Sequence, residues 1–83
     1  MTLPSRTLLV QGLPSGHTAE TLSAMLKGLF GQYAGLTEVR TVPQRGLAFV
    51  EFSSEAAASP ALQGLHNFKL SATESITVTY ART

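Results

Sequence analysis

The sequence contains no cysteine, no tryptophan and no aspartate, and only 13% of its residues are charged. Without cysteine there is neither a disulfide scaffold nor a thiolate metal site. His17 and His66 stand far apart in the chain, so neither a metal-ligating cluster nor a nucleophile–histidine–carboxylate arrangement has the residues it needs. Gly12, Gly16 and Gly46 do not fall in the pattern of a phosphate-binding loop. The chain is expected to be no enzyme and to use no metal and no cofactor. No apolar run reaches the roughly 18 residues of a membrane span. The opening Met1-Thr2-Leu3-Pro4-Ser5-Arg6 lacks the apolar stretch of a secretion signal. A soluble, non-secreted protein without a membrane partner is expected. Charge of one sign is also lacking: the net charge is +1.

What is present folds. Hydrophobic residues make up 43% of the 83 positions, a composition unlike that of a disordered tail. The length suits one domain, 1–83, which buries roughly 60% of its extended-chain surface. A module of this size also fits as one piece of a longer protein.

The chain divides into strand, helix, strand, strand, helix, strand. Thr7–Gln11 is a short apolar strand closed by Gly12-Leu13-Pro14-Ser15-Gly16. Thr18 is placed to cap a helix with Glu20 in its first turn. Leu22, Met25, Leu26, Leu29 and Phe30 then recur at spacings of three and four, which is one face of an amphipathic helix. Glu38–Val42 and Leu47–Phe52 read as a hairpin around Pro43-Gln44-Arg45-Gly46. Ser53 or Ser54 caps a second helix running to about His66. Pro60 inside it predicts a kink, or a loose first turn with the helix proper starting near Pro60. Asn67 is a candidate left-handed stop. Ser75–Ala81 alternates apolar and polar residues as a half-buried strand does.

The order βαββαβ predicts an α+β, ferredoxin-like sandwich, with a four-stranded antiparallel sheet and both helices on one face. Alternation along strands then sends Leu8, Val10, Val39, Ala48, Val50 and Phe52 to the core. Leu9, Gln11, Arg40, Val42, Leu47, Phe49 and Glu51 point to the open face. Phe30, Tyr33, Phe52, Phe68 and Tyr80 are assigned to core faces or helix ends, where packing is their role.

Arg45-Gly46-Leu47-Ala48-Phe49-Val50-Glu51-Phe52 matches six of the seven specified positions of the RNA-recognition octamer, departing only at Leu47. A companion hexamer, Leu8-Leu9-Val10-Gln11-Gly12-Leu13, sits on the first strand. In such domains aromatic rings on the open face stack splayed bases. The three platform positions here are Leu9, Leu47 and Phe49, of which only Phe49 is aromatic.

The whole chain resembles an RNA recognition domain of the A and B-double-prime proteins of the spliceosomal small nuclear ribonucleoproteins. Glu38-Val39-Arg40, Val42-Pro43, Ala48-Phe49-Val50-Glu51-Phe52, Phe68-Lys69 and Tyr80-Ala81-Arg82 carry the likeness. The short Pro43 hairpin is closer to the second, C-terminal domain of that family than to the first, whose long basic loop grips an RNA hairpin. The resemblance implies an RNA-binding-type domain acting in pre-mRNA splicing in the nucleus. It implies weak or conditional affinity for single-stranded RNA, small nuclear RNA included, spliceosomal protein partners, and a monomer in isolation.

The expected RNA-binding residues on or around the sheet are Leu9, Gln11, Arg40, Arg45, Leu47, Phe49, Thr79 and Arg82. Arg40 is expected to pair with Glu51 across neighbouring strands. The alternative is a protein-interaction module docking a partner on the apolar face of Leu9, Val42, Leu47 and Phe49. Metal carriers and small phosphatases share this element order. The first need a cysteine pair and the second a basic residue in the 13–17 loop, and neither is present.

Overall fold

The computed structural model describes residues 5–14, 16–70 and 72–81. The elements are β1 (Thr7–Gln11), α1 (Ala19–Phe30), β2 (Leu36–Val42), a 3₁₀ turn (Pro43–Arg45), β3 (Leu47–Phe52), α2 (Glu55–Leu65) and β4 (Thr77–Tyr80). The strands form one antiparallel sheet in the order β2-β3-β1-β4. The ferredoxin-like architecture expected from the element order is the one observed.

Helix α1 begins where the sequence supplies a cap: Thr18 Oγ1 accepts the Thr21 N–H at 3.1 Å. Glu20 in the first turn and Lys27 in the last both complement the helix dipole. Leu22, Leu26 and Phe30, four residues apart, are its buried stripe. In α2 the cap is Ser54, whose Oγ accepts from the Ala57 N–H at 3.1 Å. Ala58, Ala61 and Leu65 are its buried residues.

These two stripes pack against Leu8, Val10, Ala48, Val50, Phe52 and Val78 of the sheet. The Phe30 and Phe52 rings meet at 6.4 Å, tilted by 59°, a geometry favoured by aromatic quadrupoles. Ile76, wholly buried, completes the core beside β4.

Four expectations need revision. First, the Ser54-capped helix is observed, but of the two readings of Pro60 a helix proper starting near it is not: α2 runs through Pro60 from Glu55; the Ser54 cap and buried Ala58 hold the first turns, while Pro60 is exposed. Its missing N–H leaves one helical bond unmade, an interior cost of up to about 3 kcal/mol. Pro60→Ala should therefore raise stability by about 1–2 kcal/mol, after allowing for the freer unfolded chain. That is a rise of roughly 4–16 °C in thermal midpoint for a domain of this size, and an unchanged or lower midpoint would refute it.

Second, β2 starts at Leu36, two residues before Glu38, because a register shift between Leu36 and Glu38 lets the pairing with β3 continue. Third, β4 spans Thr77–Tyr80; Ser75 instead bridges Lys69. Fourth, Phe68, just past the end of α2, lies outside the core and is exposed at 37%. Its backbone receives the Ile76 N–H at 2.9 Å, and Ile76 takes the core position. Asn67 does adopt the left-handed conformation, at φ 61°. His66 at the end of α2 accepts the Val78 N–H through Nδ1 at 3.2 Å.

Candidate nucleic-acid interface

With both helices on one side, the other side of the sheet is organised by register alone. Antiparallel pairing aligns residues across all four strands in rows. Arg40, Phe49, Leu9 and Thr79 form the middle row. Val42, Leu47, Gln11 and Thr77 form the row nearer the β2–β3 hairpin. Glu38, Glu51 and Thr7 form the row at the other end. Leu9, Leu47 and Phe49 are half-buried, while Gln11, Arg40 and Thr79 are exposed. Six of the expected residues are thus brought together on one face, with Phe49 and Leu9 as direct cross-strand neighbours.

Arg45 lies off the sheet. It is the last residue of the 3₁₀ turn and is exposed; the strand proper begins at Leu47. Gly46 makes this possible, with φ 64° and a bond from its N–H to the Pro43 carbonyl at 3.2 Å. A side chain there would meet both the left-handed penalty and the Leu13 carbonyl 3.2 Å from its Cβ. The Gly46 carbonyl also receives the Leu13 N–H at 3.0 Å, tying the hairpin to the loop after β1. Arg45 therefore sits at the Leu47–Gln11 end of the face. Arg82 lies outside the described residues.

The charges are arranged differently from the expectation. Arg40 does not pair with Glu51. Its Nε lies 3.5 Å from Glu38 Oε2 on its own strand, and Glu51 Oε2 lies 3.8 Å from Arg6 Nε. Register explains this. Arg40 faces Phe49 directly, so Glu51 is its diagonal neighbour at about 7–8 Å, whereas Glu38 is two residues along on the same strand face.

Glu38 and Glu51 are themselves register partners. Like charges placed opposite each other are destabilising, and the two arginines offset this. Two cations and two carboxylates leave this part of the face neutral. Arg45 forms no ion pair among the described residues.

Parity along β3 already placed Glu51 on the open face, but neither it nor Arg6 and Glu38 entered the expected site. Glu38 shares parity with Arg40 and could have been found from it. Arg6 precedes the strand, and its partner depends on the β1–β3 register. Among the described residues no group of three or more histidines and carboxylates is placed to hold a metal, and no helix is long and apolar enough to cross a membrane.

Comparison with known proteins agrees with this geometry. Residues 8–75 match the model of the RNA recognition motif. The chain is 39% identical over 80 residues to the U2 small nuclear ribonucleoprotein B'' of Oryza sativa subsp. indica, covering 95% of this chain and 33% of that protein. It is also 39% identical over 80 residues to the U1 small nuclear ribonucleoprotein A of Drosophila melanogaster, covering 95% and 35%. The chain thus spans about a third of the length of these curated relatives. Among solved structures, the MEC-8 C-terminal RRM domain bound to AGCACA superposes with a TM-score of 0.74 at 30% identity, covering 93% of this chain and 90% of that one. An octamer whose last six residues are a central strand, a four-stranded sheet with both helices on one face and a family match over residues 8–75 converge: the chain belongs to the RNA recognition motif family.

Proposed function

We propose that this domain binds single-stranded RNA weakly on its open sheet face, as part of a spliceosomal small nuclear ribonucleoprotein acting in pre-mRNA splicing in the nucleus. The observation that carries the reading is the middle row, which sets Phe49 beside Leu9 between Arg40 and Thr79 on the uncovered side of the sheet. Likeness to U2 B'' and U1 A proteins supports the assignment to such particles.

Weakness follows from the platform. Each base–aromatic stack contributes about 1–3 kcal/mol. With leucine at two of three platform positions, binding falls short of a fully aromatic platform by up to roughly 2–6 kcal/mol. Leu9 and Leu47 still offer apolar contact, and Gln11, Thr77 and Thr79 offer hydrogen-bonding groups at its flanks.

Electrostatics point the same way. Arg6 and Arg40 are engaged with carboxylates, which among the described residues leaves Arg45 of the expected arginines for phosphates; Arg82, outside them, is proposed as a second contact. Two phosphate contacts give a log–log salt slope of about −1.4 on a single strand. Titrating a short single-stranded RNA into the labelled domain should move the Phe49, Arg45 and Arg82 signals, and the shifts should weaken with salt at about that slope. No shift at millimolar RNA would rule out the reading. Capture of a protein partner on the same face, insensitive to salt and lost in Phe49→Ala, would favour apolar docking instead.

A further inference from the structure

We propose that Glu51 is the base-selecting residue of this face and that it selects guanine. The inference deepens the RNA reading above and rests on it. Glu51 and Phe49 are on the same side of β3, two residues or about 7 Å apart. A base stacked on the Phe49 ring with its pairing edge turned along β3 comes within reach of the Glu51 side chain. That carboxylate is partly sheltered, with 31% of its side chain exposed, and is drawn toward Arg6 at 3.8 Å. Glu38 is less suited: it is 54% exposed, lies on the edge strand, is held by Arg40 at 3.5 Å and reaches Phe49 only diagonally across the ladder.

The chemistry follows from sign. A carboxylate repels phosphate, so Glu51 on an RNA-binding surface cannot be a phosphate contact and is left with the donors of bases and ribose hydroxyls. It only accepts hydrogen bonds, and its two oxygens suit two adjacent donors. Guanine presents such a pair on its pairing edge, the N1–H and the N2 amino group. Cytosine and adenine present one amino group beside an acceptor nitrogen, and uracil one N–H between two carbonyls. The opposite flank of Phe49, the Gln11 and Thr77 row, carries no charge and lacks this discrimination.

The test uses the 83-residue chain and four pentanucleotides, UUGUU, UUAUU, UUCUU and UUUUU, with affinities from amide shifts. UUGUU should bind about tenfold more tightly than UUUUU, the lower part of the range for a bidentate side chain–base contact. In Glu51→Gln, which keeps size and shape, that preference should shrink to about twofold or less. Phe49→Ala should weaken all four alike. Equal affinities for the four pentamers in the unsubstituted protein would overturn the guanine assignment while leaving RNA binding intact. A preference that survives in a folded Glu51→Gln protein would overturn the role of Glu51. Absence of binding by every pentamer would overturn both this inference and the RNA reading beneath it.

Discussion

Replacing Phe52 by alanine should destabilise the domain by about 3–5 kcal/mol, the range for truncating a buried phenylalanine. Phe52 is 1% exposed. Its ring meets Phe30 across the sheet–helix interface at 6.4 Å, so both the α1 stripe and the floor of the sheet lose a partner. Phe52 shares one buried cluster with Val50, Leu26 and Ala58, and a packed core relaxes only partly around such a truncation. A domain of 83 residues has a total stability of about 4–12 kcal/mol at typical values per residue. The substitution therefore removes a large share of it. Urea unfolding should show a much lower midpoint with an unchanged slope, since the surface exposed on unfolding stays the same. A midpoint within experimental error of the parent would contradict the packing described.

Phe49→Ala, three residues earlier on the same strand, should have the opposite profile. Phe49 is half-buried on the open face and supports no helix, so stability should fall by about 1 kcal/mol or less, in line with surface substitutions. RNA affinity should fall by about 1–3 kcal/mol, the contribution of one stacked base, or about 5–150-fold. No other aromatic side chain is placed in the three described rows of this face, so no second ring takes over the stack. Parallel measurement of unfolding midpoint and RNA-induced amide shifts separates the two residues. Normal RNA shifts in a folded Phe49→Ala protein would remove the stacking platform from the reading. The contrast between Phe52 and Phe49 measures the two faces of one strand independently.

Sequence alone determined the elements and their faces, because both follow from local rules. A hydroxyl before an apolar period of 3.6 caps a helix, and Thr18 and Ser54 do so. Apolar alternation of period two sends Ala48, Val50 and Phe52 one way and Leu47, Phe49 and Glu51 the other. The octamer and its strand context were legible for the same reason, and so was the shortage of aromatic rings at Leu9 and Leu47. Pro60 misled because a local penalty predicts a break, whereas the core contacts of Ala58 and Ala61 hold the helix through it. Phe68 misled because hydrophobicity does not say which of two nearby apolar residues reaches the core, and Ile76 does.

Tertiary structure decided who faces whom. The rows that set Phe49 beside Leu9, Glu51 beside Glu38, and Arg40 beside Phe49 depend on strand register. Register is fixed by the turn geometry, by the Leu36/Glu38 irregularity and by burial of one whole face at once. That is why Arg40 was assigned to the wrong carboxylate from sequence: parity along β3 already sets Glu51 on the same side as Phe49, but only register shows that Glu51 lies opposite Glu38 and takes Arg6 as its partner.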